Sequence, residues 1–118
     1  MSARSRFLLA ATAALGLGLP TALAGDPTED TYMAYHRAIR AAVHCLNDDK
    51  EFDQPQQAKL SAVIEQKINS AIATGRRLTL IEQVRSEMRD TLAKYGCASE
   101  EVKPSLDLYQ AELAGALN

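Results

Sequence analysis

TYMAYHRAIRAAVHCLNDD, residues 31–49, decides the fold because its apolar side chains recur at helical spacing. A buried helical face needs apolar residues three or four positions apart. This stretch supplies them at Tyr32, Tyr35, His36, Ile39, Ala42, Val43 and Leu46. Ala34, Ala38 and Ala41 flank the stripe and would let a neighbouring helix approach closely, either within the chain or from a second copy in a homodimer. The stretch therefore predicts an amphipathic helix that forms the centre of the fold.

The same periodicity continues through the rest of the chain, and no stretch alternates as a strand would. It predicts helices over residues 28–46, 54–74, 80–95 and 104–116. Asp53 is placed to cap the second helix and Gly75 to end it. Thr79 and Glu82 have capping-box spacing at the start of the third. Pro104 marks the start of the fourth, because a proline inside a helix removes a hydrogen bond.

The connections between these helices are short, which favours antiparallel neighbours. In that order the first and third helices point the same way. Cys45 lies at the end of the first and Cys97 just after the end of the third. Two cysteines in an oxidising compartment indicate one disulfide. The sequence therefore predicts an all-α fold, a small four-helix antiparallel bundle with a Cys45–Cys97 disulfide.

The first 24 residues have the pattern of a cleaved signal peptide. Arg4 and Arg6 precede an apolar run over residues 7–19, which is shorter than the roughly 20 residues that a bilayer span needs. The small residues Ala22 and Ala24 favour cleavage before residue 25. We therefore expect a signal peptide at 1–24 and a single helical domain at 25–118, in the periplasm or secreted, with no membrane insertion of the mature form.

The charge of the mature chain argues against nucleic acid as a partner. Residues 25–118 carry 11 basic and 15 acidic residues, a formal net charge of −4. Nucleic acids and anionic membranes require a clustered basic surface. Arg76 and Arg77 are the one adjacent basic pair in that range, and we assign them to the end of the second helix, where cations complement the helix dipole.

Met33, His36, His44 and Cys45 raise the question of a metal site. Met33 and His36 are neighbours on one helical face, but His44 lies eight residues beyond His36, roughly 12 Å along the helix axis. One metal ion cannot bind both histidines across that gap. We predict no metal and no cofactor; the alternative is a periplasmic small-ligand or copper-binding carrier that uses Met33 and His36.

Motifs that would indicate an enzyme are missing from the sequence. A glycine-rich phosphate loop, HExxH and GxSxG do not occur. We therefore predict an exported non-catalytic protein-binding module that acts through a helical surface, as an inhibitor, immunity-type protein or chaperone/adaptor, by analogy of fold and compartment.

Aromatic side chains are the first candidates for the contacts of such a surface, because they often anchor interfaces. We assign Tyr32, Tyr95 and Tyr109 to the core. Phe52 lies in a polar loop, where it either covers the end of the core or, if exposed, contacts a partner protein. Tyr35, about 90° round the helix from His36, is the second candidate contact.

Overall fold

The computed structural model describes residues 26–69 and 71–118, and the regular structure in those ranges is entirely helical. The four α-helices are α1 Pro27–Leu46, α2 Gln54–Ile68, α3 Thr74–Tyr95 and α4 Lys103–Leu108. Helix α4 continues into a π-helical turn, Tyr109–Leu113, and a 3-10 turn, Ala114–Leu117. The prediction of an all-α fold with four helices is confirmed. The predicted signal peptide, residues 1–24, lies outside the described residues.

Helix α1 is the element on which the other three pack. The Asp26 carboxylate accepts a hydrogen bond from the Thr28 amide at 2.8 Å, which caps the first turn. Further along, Ala38, Ala41 and Ala42 are each 0% exposed. Small side chains let neighbouring backbones come close, and the chain uses this face internally. Ala38 and Ala41 of the alanine face are therefore covered within the chain, and a homodimer through this face stays a prediction.

Helix α2 begins as the sequence predicts and ends earlier. The Gln56 amide donates to the Asp53 carboxylate at 2.8 Å, and the Gln56 side chain accepts from the Asp53 amide at 3.0 Å. This reciprocal pair is a capping box. The helix ends at Ile68 rather than at residue 74, because Asn69 adopts the left-handed conformation at φ 53° and ψ 35°. Asparagine tolerates that conformation, so Gly75 is not needed as the terminator.

Helix α3 begins at Thr74, six residues before the predicted start at 80. The expected capping box of Thr79 and Glu82 does not form, since the Thr79 hydroxyl donates instead to the Gly75 carbonyl inside the helix at 3.3 Å. The residue before the helix, Ala73, has no side chain that can cap it. The start of α3 must therefore be stabilised by contacts from elsewhere in the chain.

Two arginines in the first turn of α3 supply those contacts. Arg77 donates from Nε to the Ile72 carbonyl at 2.7 Å and forms an ion pair with Glu65 of α2. Arg76 binds the Glu29 carboxylate of α1 through two nitrogens, at 2.8 and 2.7 Å. Cations at a helix N-terminus oppose the dipole, and these two carboxylates offset that cost. The sequence pattern assigns Arg76 and Arg77 to the end of α2, and this assignment is wrong because both lie in the first turn of α3.

Helices α1 and α3 lie side by side with corresponding ends together. Glu29 binds Arg76 near their N-termini, and Arg37 donates to Glu87 at 2.7 Å near the middle. Near the C-termini, Cys45 and Cys97 form a disulfide with a Cα–Cα distance of 5.9 Å. The predicted disulfide is confirmed. We refer to these three links as the α1–α3 anchors.

The core lies between α1 and the other helices. Its largest fully buried side chains are Leu60, Ile64, Leu80, Val84, Val102 and Leu113. Tyr32 and Tyr109 are buried as predicted, whereas Tyr95 is 45% exposed and Leu46 is 51% exposed. The predictions that Leu46 and Tyr95 are buried are wrong, because each is the last residue of its helix and lies beyond the packed region. Within residues 26–69 and 71–118, no helix combines the length and apolar character needed to cross a bilayer.

Candidate functional site

Two clefts follow the junction of α1 and α3. The first has a volume of about 220 Å³ and the second about 410 Å³. Both are lined by Arg40 of α1, by Glu51 of the loop before α2 and by Arg85 of α3. The two clefts therefore meet at these three side chains. We call the combined surface the α1–α3 groove.

The floor of the first cleft is apolar. Phe52, Leu60 and Val84 contribute to it from the core and are 8%, 1% and 1% exposed. Ile39 and Ile81 form its half-buried sides. Two features fix the position of Phe52. Its backbone directly precedes Asp53, the residue that caps α2, and its ring stacks on the Tyr109 ring at a centroid distance of 6.2 Å. Most of the apolar surface that the cleft shows to solvent therefore comes from Ile39 and Ile81, and Gln57 and Ser61 add polar groups to its lining.

An ion pair closes one side of the groove. Arg40 binds the Glu51 carboxylate through both terminal nitrogens, at 2.8 and 2.5 Å. This hydrogen bonding, with the charge of Arg40 and a smaller effect of Arg85, lowers the pKa of Glu51 below its ordinary value. Glu51 therefore remains a carboxylate at neutral pH, and the pair contributes no net charge to the groove.

Of the three charged side chains that line the first cleft, Arg85 is the one outside the Arg40–Glu51 pair. Its side chain is exposed and makes neither a hydrogen bond nor an ion pair with any residue that the structure describes. The Arg85 charge nevertheless acts on Glu51 and on His36. With Arg40 and Glu51 compensating each other, the first cleft carries one excess positive charge at pH 7.

His36 lies in the wall of the same cleft. Burial, and then the charges of Arg40 and Arg85, lower the pKa of His36 to about 4. The imidazole is therefore neutral at pH 7. Its ring lies 4.5 Å from the Tyr32 ring, centroid to centroid. In this state the side chain adds a hydrogen-bonding group to the cleft and no charge.

Met33 and His36, the two residues of the carrier hypothesis, lie in different environments. Met33 is a core side chain, 8% exposed, whereas His36 faces the cleft. Within residues 26–69 and 71–118, His, Cys, Asp and Glu side chains form no group of three or more that could hold a metal ion. A copper site at Met33 and His36 would need ligands from beyond these groups.

The two aromatic candidate contacts are not exposed. Phe52 is 8% and Tyr35 5% exposed. Phe52 covers the end of the core against Tyr109, the first of the two roles expected for it, and it also lines the first cleft. Tyr35 packs in the core, and its hydroxyl donates a hydrogen bond to the Glu112 carboxylate. Both side chains are therefore largely covered within the chain, and their assignment as partner contacts stays a prediction.

Comparisons with known proteins give no guide to the site. No protein-family model matches the chain, and neither does any curated protein or solved structure. The function must therefore be inferred from the groove itself.

Sequence reasoning missed Arg85, the residue that distinguishes the groove. A signal was present: Ile81, Arg85 and Arg89 are spaced four apart, which places two arginines along the edge of an apolar face. The pattern alone does not separate such an edge from an ordinary solvated side. What marks the site is that Glu51 pairs with Arg40, while Arg85 forms no ion pair in the part of the chain that the structure describes.

Proposed function

We propose that the protein is an exported, non-catalytic binding protein that acts on another protein through the α1–α3 groove, as an inhibitor, immunity-type protein or adaptor. The observation that carries this proposal is the position of Arg85 beside an apolar floor, with no ion-pair partner among the residues that the structure describes. Interfaces combine a desolvated apolar centre with charged groups that steer and orient the partner. The groove has both elements on one face.

Two features of the wider fold support this setting. The confirmed disulfide is compatible with an oxidising compartment and so with export. The α1–α3 anchors and the short connections support an antiparallel arrangement of the four helices as a bundle. Such a frame would hold the two walls of the groove in fixed register for a partner.

A site-directed crosslinking experiment tests the proposal in the native compartment. A photoreactive amino acid replaces Ile81 in the groove, and in the matched control it replaces the exposed Gln66 of α2. We expect one protein to be crosslinked at residue 81 and not at residue 66. The purified partner should then bind the wild-type protein at a stoichiometric ratio and bind Arg85→Glu at least tenfold more weakly. Equal crosslinking at both positions, or equal affinity for Arg85→Glu, would refute the proposal.

The second candidate is the small-ligand or copper-binding carrier. It is favoured by the position of His36, a neutral imidazole in the wall of a cleft, since neutral imidazole is a metal ligand. Metal analysis of the protein purified from its native compartment separates the two candidates. Near-stoichiometric copper that is lost in His36→Ala and retained in His44→Ala would replace the protein-binding proposal with the carrier.

A further inference from the structure

The first cleft has two parts that differ in chemistry. Buried Phe52 and Leu60 form its base, and Arg85 stands at its edge. Its volume of about 220 Å³ corresponds to roughly seven water molecules at about 30 Å³ each. This is room for one large apolar side chain.

The charges around the cleft select the sign of the ligand. Glu51 is engaged by both terminal nitrogens of Arg40, so the charges of these two residues compensate each other. Arg85 has no such partner among the described residues. A guanidinium group suits a carboxylate because it can donate two parallel hydrogen bonds to it.

We propose that the first cleft recognises a segment of the partner protein in which a large apolar residue is followed by Asp or Glu. The apolar side chain enters the cleft over Phe52 and Leu60, and the carboxylate binds Arg85. This inference rests on the proposed function and specifies the chemistry of the partner. It requires no movement of the Arg40–Glu51 pair.

The geometry also explains why an acidic domain would bind an acidic segment. The mature chain has a formal charge of −4, which would repel an acidic partner at long range. Charges beyond a Debye length of about 8 Å are largely screened at physiological salt, so the local excess at Arg85 decides the interaction. Recognition is then confined to this groove, which gives specificity.

Short blocked peptides test the inference directly. The probes are acetyl-Ala-Leu-Glu-Ala-amide and its Gln counterpart, titrated into the full mature protein while the methyl resonances of Ile39 and Ile81 are followed by NMR. We expect saturable shifts of both methyl groups and an affinity for the Glu peptide at least fivefold higher than for the Gln peptide. Equal affinities, or shifts elsewhere in place of these, would overturn the inference.

Two variants identify the cation. Arg85→Gln should reduce the ratio of affinities for the Glu and Gln peptides to about one. Arg89 lies one helical turn beyond Arg85 and lines only the second cleft. Arg89→Gln removes a charge of the same sign and should keep the ratio. Equal loss in both variants would mean that general electrostatics is responsible and would refute the site. Failure of both peptides to bind while the crosslinked partner still binds at the groove would refute this inference and leave the proposed function standing.

Discussion

The phenol oxygen of Tyr35 donates a hydrogen bond of 2.6 Å to Oε1 of Glu112, which joins α1 to the π-helical turn near the end of the chain. The same carboxylate oxygen lies 3.0 Å from Nζ of Lys67 on α2. Burial, and then the bond to Glu112, raise the pKa of Tyr35 to about 12. The phenol therefore remains a donor at every physiological pH, and three segments of the fold meet at one carboxylate.

Removing the Tyr35 hydroxyl should destabilise the fold modestly. We expect Tyr35→Phe to lower the free energy of unfolding by about 1 kcal/mol, the usual net value of a hydrogen bond. Tyr95→Phe is the matched control, because Tyr95 is 45% exposed and ends its helix. Urea unfolding followed by circular dichroism measures both. A loss in Tyr95→Phe equal to that in Tyr35→Phe would contradict the role assigned to the bond with Glu112.

The disulfide should supply a large share of the net stability. Cys45 and Cys97 are separated by 52 positions, and closing a loop of that size stabilises by about 4 kcal/mol in the chain-entropy model. The free energy of unfolding of the double variant Cys45→Ala and Cys97→Ala should be lower by this amount. Equilibrium unfolding with and without reductant checks the value, and reductant should have no effect on the double variant. A loss below about 1 kcal/mol would count against the prediction.

His36 should make the fold sensitive to mild acid. An unfolded histidine has a pKa near 6.5, and the folded value is about 4. Between these values the unfolded chain binds more protons, so stability is fully present above pH 6.5 and falls as the pH decreases towards 4. The expected loss is about 2 kcal/mol between pH 7.5 and pH 5.

Substitution identifies the histidine responsible. His36→Gln should flatten stability across the pH range 5–7.5, whereas His44→Gln, an exposed residue on the same helix, should leave the dependence on His36 in place. Glu29, Glu51 and Glu112 have lowered pKa values and add their own losses below about pH 4.5. Thermal unfolding at several pH values therefore separates the two effects.

Leu60 is the residue whose truncation should be most damaging near the groove. It is 1% exposed and forms both core and cleft floor. We expect Leu60→Ala to cost about 2–5 kcal/mol, the range for a leucine deleted from a packed core. Leu78→Ala, which truncates a leucine that is 61% exposed on α3, should change stability by less than about 0.5 kcal/mol. Similar losses in the two variants would show that the cleft floor is not tightly packed.

The sequence predicted the helices wherever local signals decide their limits. The bounds of α1 and the Asp53 cap of α2 follow from residues within a few positions of each end. The predicted end of α2 and the predicted start of α3 are wrong because two local signals compete at this junction. Asn69 takes the left-handed conformation that the sequence pattern assigned to Gly75, and Gly75 lies within α3.

The start of α3 depends on contacts that no local pattern contains. Arg76 and Arg77 reach Glu29 and Glu65, which are 47 and 12 positions away along the chain. The groove also depends on residues that are distant in sequence, since α1, α3 and the loop at Glu51 together form it. Periodicity predicted which faces are buried, but it could not predict that Arg40 would be neutralised and Arg85 would not.

The α1–α3 anchors have a consequence for the thermodynamics of recognition. A covalent bond at one level and ion pairs at two others restrain α1 and α3 against sliding or separating. A ligand entering between them would meet walls that are already in their bound positions, so little conformational entropy of the protein would be lost on association. Reduction of the disulfide should for this reason weaken binding even under conditions in which the chain stays folded.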